Sequence, residues 1–256
     1  MNQRERREVL IRAFLDERPE YRTMVIPWDE KEQCRLLRAL MNVRKPAPIT
    51  PEFQKIQDEY LQEETRKKGI VSLSELHPIQ GNLYLWQGDI TRLAVDAIVN
   101  AANSQMLGCF YPNHGCIDNV IHTYAGIELR LACNELMEKQ GREEETGQAK
   151  ITPAFNLPGK YVIHTVGPIV YGQLSKKEEE QLADCYGSCL KLAEEYHLSS
   201  IAFPCISTGE FHFPQKRAAD IAIHTVKEFL EKTDSEMKVI FNVFKDEDYA
   251  IYRKLL

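Results

Sequence analysis

From Gly69 onward, short apolar runs of strand composition alternate with longer stretches of helical spacing, and this alternation sets the fold class. The runs are Asn82 to Gln87, Val95 to Asn100, Lys160 to Thr165, Ser200 to Cys205 and Lys238 to Phe244. Helical stretches lie at about 117–140, 177–197, 215–232 and 246–255. Strands linked through helices pair in parallel, and a parallel sheet needs helices on both faces. The expected class is α/β, and ligands of such sheets collect at the carboxyl ends of the strands.

Before Gly69 the pattern is helical only. Val9, Leu10, Ala13 and Phe14 form one apolar stripe, and Cys34, Leu36, Leu37, Leu40 and Met41 form another. A third helix is expected from Thr50-Pro51, with Thr as N-cap and Pro in the first turn, to Lys67-Lys68-Gly69. Lys45-Pro46-Ala47-Pro48 reads as a stiff connector. Short helices are marginal without tertiary support, so residues 1–70 are expected to pack as an extension on a main domain of residues 71–256.

Composition narrows the function classes. Hydrophobic residues at 43% suffice for a core, and 32 Lys+Arg against 38 Asp+Glu leave a net charge of -6. That balance opposes non-specific binding to nucleic acid or an anionic membrane. No apolar stretch approaches the ~18 residues of a membrane span. The charged start Met1–Arg7 does not read as a secretory leader, and seven scattered cysteines do not read as a disulfide framework. A monomer in a reducing cytoplasm is the expectation.

Polar residues cluster where strands end. Gly88-Asp89-Ile90-Thr91 follows the first run, and Asn100-Ala101-Ala102-Asn103 ends the second. The two carboxamides suit either a buried loop backbone or a hydroxyl-rich ligand. His164-Thr165-Val166-Gly167-Pro168 ends a third run. Cys205 to Pro214 leads into a helix through Ser207-Thr208-Gly209, whose backbone N–H groups would suit a diphosphate.

These blocks, with Ile117-Asp118-Asn119-Val120-Ile121-His122, resemble the macrodomain family in the family's order over about residues 80–256. The resemblance implies a three-layer α/β/α fold with a central mixed, mostly parallel sheet, and binding of ADP-ribose. It implies that Asp89 bonds the adenine with Ile90 beside it, and that Ser207, Thr208, Gly209, Glu210 and Phe211 hold the diphosphate. Asn103 would face the distal ribose, and Phe244 could stack on the adenine. Trp28 and Trp86 are expected to pack.

One loop departs from the family pattern. Where a short glycine run is usual, the chain reads Leu107-Gly108-Cys109-Phe110-Tyr111-Pro112-Asn113-His114-Gly115-Cys116. This resembles the zinc-dependent branch of microbial macrodomains, which also carries a helical N-terminal extension. That branch is associated with sirtuin-type ADP-ribosyl transfer and often with a lipoyl-carrier protein. Taken by residue type, Cys109, His114 and Cys116 favour Zn²⁺, one per chain, and three protein ligands leave a fourth position open. His122 and Asp118 are further candidate ligands. The rival readings of the pair of cysteines are ordinary packing or a labile disulfide.

The expected activity is zinc-dependent hydrolysis of mono-ADP-ribose from a protein side chain, with an acidic residue as the acceptor the resemblance suggests. Zinc would activate water or act as a Lewis acid, two modes the residues do not separate. Asn103 and Asp118 are the candidate catalytic residues, Asp118 as general base or as a group orienting ribose hydroxyls. The competing classes are a non-catalytic ADP-ribose reader and an O-acetyl-ADP-ribose deacetylase. An NAD-dependent oxidoreductase would need G-x-G-x-x-G after a strand, which the chain lacks.

Overall fold

The computed structural model describes residues 1–256. Three helices come first: α1 Gln3–Asp16, α2 Glu30–Val43 and α3 Pro51–Lys68. Helix α3 begins and ends where its capping residues place it. Thr50 Oγ1 accepts the Phe53 N–H at 3.2 Å, and Gly69 turns the chain out at φ 84°.

The main domain runs β1 Val71–Ser72, β2 Pro78–Gln80, β3 Leu83–Gln87, β4 Leu93–Ala94 and β5 Ala97–Ala102. It continues α4 Ile117–Ala125, α5 Ile127–Gln140, β6 Ala149–Pro153, β7 Tyr161–Val166, α6 Lys176–Glu195 and β8 Ser200–Phe203. Helix α7 Gln215–Thr233, strand β9 Lys238–Val243 and helix α8 Asp246–Leu255 complete it. Seven strands form one sheet in the order β2-β3-β9-β8-β5-β7-β6, while β1 pairs with β4 apart from it. The five central strands are parallel, and β2 and β6 add to the edges antiparallel.

The five expected runs are the five parallel strands. Each central strand is buried on both faces, so it reads as a continuous apolar run. Its side chains still alternate between layers. Ala97 and Val99 join Cys185, Tyr186 and Ala222 of α6 and α7 in one core, while Ile98 joins Ile121, Leu129 and Cys133 of α4 and α5 in the other. This is the three-layer α/β/α arrangement with a mixed, mostly parallel sheet.

Residues 117–140 are two helices, not the single one expected. They break at Gly126, whose φ is 102°, and the partner at the break comes from the extension. Gln57 of α3 accepts the Ile127 N–H at 3.1 Å and donates to Glu128 Oε2 at 2.6 Å. A Cβ at Gly126 would lie 2.8 Å from Glu128 Oε2 and 2.9 Å from Gln57 Nε2. The extension has its own core, including Leu10, Phe14, Leu37, Tyr60 and Leu61, and Ile127 of α5 inserts into it. Trp28 corrects another expectation. It is 86% exposed with the Arg4 guanidinium 4.9 Å from its ring centroid, whereas Trp86 is half-buried. No helix is long and apolar enough to cross a membrane.

Candidate functional site

The polar strand ends meet at the carboxyl edge of the parallel sheet. After β3, Asp89 accepts from the Thr91 N–H and hydroxyl at 3.0 and 2.6 Å through Oδ1, and from Lys68 Nζ at 2.9 Å through Oδ2. Burial opposes its charge, but the Thr91 bonds and the Lys68 ammonium hold its carboxyl below the usual range. Lys68 also lies 3.1 Å from the Tyr124 ring centroid. No feature of the sequence marks Lys68 as a site residue, because it ends a helix of the extension. Ile90 is 3% exposed with its side chain in the core, and Phe244, one residue beyond β9, is 75% exposed.

At the end of β5 the two asparagines divide their work. Asn100 is fully buried, donates to Asp118 Oδ1 at 2.8 Å and lies 3.2 Å from His164 Nδ1. Asn103 is half-buried at the start of the loop that follows β5, where its Oδ1 accepts from the N–H groups of Gln105 and Met106 at 3.1 Å each.

The loop that follows brings Cys109, His114 and Cys116 together. Cys109 Sγ is 3.7 Å from His114 Nδ1, and the donor atoms of Cys109, His114 and Cys116 all lie within 4.8 Å of one another. The donor set of two thiols and an imidazole fits a zinc ion. Burial, with the Cys109 thiol beside it, pushes the Cys116 thiol up to about 12, so cation uptake by this loop must displace protons. His114 Nε2 approaches Glu210 Oε1 at 3.7 Å, which sets this loop against the loop after β8.

That second loop has an anion-binding character. Ser207 and His212 take φ of 64° and 56°, and the N–H groups of Gly209, Glu210 and Phe211 make no bond within the chain. The buried Ser207 hydroxyl also lacks a partner. Gly167 permits this close approach, since a Cβ there would lie 2.1 Å from Ser207 Oγ. Thr208 instead turns its hydroxyl inward to the Cys205 carbonyl at 3.0 Å.

Asp118 stands in the first turn of α4, 5% exposed, and burial lifts its carboxyl to about 6 against the Asn100 bond and the Arg130 charge. His122, one turn later, has its Nε2 3.5 Å from Asp118 Oδ1. Considered above as a fourth ligand, His122 sits instead beneath Gly108, whose Cβ would strike its ring at 2.7 Å. It groups with Cys133 and His164, away from the three loop donors.

This buried histidine pair makes an acid-sensitive core. His164, held by Thr152 Oγ1 at 2.9 Å, is lowered by burial from 6.5 to about 3. A depressed histidine leaves stability intact above the unfolded value, and stability falls as pH drops from about 6.5 toward 3, by roughly 1.4 kcal/mol per unit. Thermal unfolding between pH 7 and 4 should therefore show a shallower loss in His164→Gln than in the parent. Equal slopes would contradict the assignment.

Comparison with known proteins identifies the family and agrees with the fold. Residues 99–222 match the Macro domain family. A protein-ADP-ribose hydrolase of Treponema medium is 56% identical over 260 residues, covering all of both chains. One from Staphylococcus aureus strain MSSA476 is 49% identical over 251 residues, 97% of this chain and 94% of that one. Among solved structures, an Oceanobacillus iheyensis macrodomain with ADP superposes with a TM-score of 0.62 at 42% identity, covering 70% of this chain and 92% of the other. A Trypanosoma brucei macrodomain in complex with ADP-ribose gives 0.67 at 29% identity, covering 85% and 94%. The chain belongs to the Macro domain family.

Proposed function

We propose that this protein is a zinc-dependent hydrolase that removes mono-ADP-ribose from modified protein side chains. The observation that carries the reading is the convergence of Cys109, His114 and Cys116 on a loop that meets the diphosphate-type loop at Glu210. Full-length similarity to proteins named protein-ADP-ribose hydrolase supports the hydrolytic part. Binding of ADP-ribose is supported by relatives solved with ADP and ADP-ribose.

In this reading Asp89, its carboxylate already oriented by Thr91 and Lys68, accepts from the adenine amine. Ser207 to Phe211 hold the diphosphate with fixed N–H groups, which suits a chain of net negative charge. Asn103 positions the distal ribose. Asp118 takes a proton from the attacking water or orients the ribose hydroxyls, itself fixed by Asn100 at 2.8 Å. Cys109, His114 and Cys116 would hold the zinc, which when bound supplies Lewis acidity or a lowered water pKa beside the bond to be cleaved. Binding energy from the remote adenine and diphosphate then orients the reacting centre. An acidic acceptor side chain, a lipoyl-carrier-type protein as its bearer and a sirtuin-type transferase as the opposing activity follow from the resemblance.

The test is release of ADP-ribose from a mono-ADP-ribosylated protein, with zinc stripped by a chelator and then returned. Turnover that stops and recovers supports the proposal. Retention of the modified protein without release identifies a reader, and turnover of free O-acetyl-ADP-ribose alone identifies a deacetylase.

A further inference from the structure

The N-terminal extension reaches the main domain at the loop that carries the three soft ligands. Residues 109–116 contain no helix or strand. The single backbone bond within that stretch runs from the His114 N–H to the Tyr111 carbonyl at 3.2 Å. Its shape is therefore imposed from outside, and two side chains of α2 do much of that.

Asn42 accepts the Asn113 N–H at 2.9 Å, at a residue held in the left-handed region with φ 57°. Asparagine tolerates that conformation better than most residues but also takes others, and the bond to Asn42 selects this one. Asn42 is itself immobilised, 1% exposed and donating to Thr123 Oγ1 at 3.0 Å. One turn earlier, Arg38 Nη2 donates to the His114 carbonyl at 2.6 Å and to Asn119 Oδ1 at 2.8 Å. Asn119, on α4, donates in turn to the carbonyls of Cys109 and Tyr111 at 3.3 and 3.0 Å. One guanidinium thus fixes His114 directly and Cys109 through one amide.

The register of α2 against the loop is fixed independently. Arg130 Nη1 donates to the carbonyls of Met41 and Asn42 at the end of α2, at 3.1 and 2.8 Å. Its Nε donates to the Leu107 carbonyl at 2.6 Å, and its guanidinium lies 4.2 Å from the Phe110 ring centroid. The same side chain therefore grips the helix end and the start of the loop.

From this we infer that Arg38 and Asn42 are positioning residues of the proposed metal centre, so that the extension is a built part of the site. The inference rests on the zinc reading above. Groups that orient metal ligands from outside typically change metal affinity by about 10–100-fold when removed. Without Asn42 the turn at Asn113 is free to relax, and without Arg38 the His114 and Cys109 backbones lose their shared anchor.

The test uses the full chain with zinc alone as probe, in competition with a chromophoric chelator, and the visible spectrum of the cobalt-substituted protein as a geometric readout. Arg38→Met and Asn42→Ala should each weaken zinc binding by about 10–100-fold and alter the cobalt bands. Affinity for ADP-ribose should stay near the parental value, because the loop after β8 is untouched. Arg38→Lys should recover part of the zinc affinity. Leu37→Ala removes a core side chain of the same helix, 2% exposed, and should lower the unfolding temperature without moving zinc affinity. Asn42 is buried and its variant can lose stability, so Arg38→Met, at a half-buried position, carries the test alone if needed. Parental zinc affinity and cobalt spectrum in folded Arg38→Met would overturn the inference. A parent chain that takes up no zinc would overturn the metal reading itself, and this one with it.

Discussion

Replacing Cys116 by alanine is expected to abolish release of ADP-ribose while the protein stays folded and still binds the free nucleotide. Cys116 supplies one of three donors that lie within 4.8 Å of one another, and two remaining donors make a poor zinc site. The loss should reach roughly a thousandfold in kcat, about 4 kcal/mol of transition-state stabilisation. Binding should survive because the free N–H groups of Gly209, Glu210 and Phe211 belong to a different loop. Calorimetric titration with ADP-ribose, metal analysis and the turnover assay separate these effects. Full turnover of Cys116→Ala in chelated buffer would remove zinc from the chemistry.

The second large effect is expected at Asp118. Asp118→Asn keeps an oxygen to accept from Asn100 and removes the proton acceptor, so kcat should fall by about 10²–10⁴-fold with little change in ADP-ribose affinity. The metal-free variant should also be more stable than the parent near neutral pH. A carboxyl raised by burial from 3.8 to about 6 carries no penalty below the unfolded value; the penalty grows as pH rises from about 4 to about 6 and is fully present above that. The neutral amide relieves roughly 2–3 kcal/mol at pH 7. A variant that melts later yet turns over slowly assigns the loss to chemistry, not to unfolding. Parental turnover in Asp118→Asn would exclude it as the base.

Much of the architecture could be read from local pattern. Helix α3 carries its own start and stop in Thr50, Pro51 and Gly69, and the five parallel strands are apolar runs because both of their faces are covered. The antiparallel edges were not legible. All three residues of β2 are exposed, and β6 is a mixed run of five, so neither carries the apolar signal. The break at Gly126 was hidden for another reason. One glycine within a helical pattern is tolerated, and here it becomes a break beside Gln57, some 70 residues earlier.

The site divides in the same way. Cys109, His114 and Cys116 are close in sequence, and one loop gathers them. His122 shares the helix of Asp118, and only the fold shows that it lies beneath Gly108 and apart from the three donors. Lys68 on Asp89 and Arg38 on His114 span 21 and 76 positions, so no window of sequence contains both partners. Trp28 is exposed rather than packed, and an aromatic side chain in a connecting segment has no periodicity to place it.

The most direct test of the account is diffraction at the zinc absorption edge from crystals of the ADP-ribose complex. The account predicts one anomalous peak between Cys109, His114 and Cys116, with the anomeric carbon of the distal ribose within reach of a single intervening water. A peak elsewhere, no peak in protein that still turns over, or a distal ribose directed away from those side chains would contradict it.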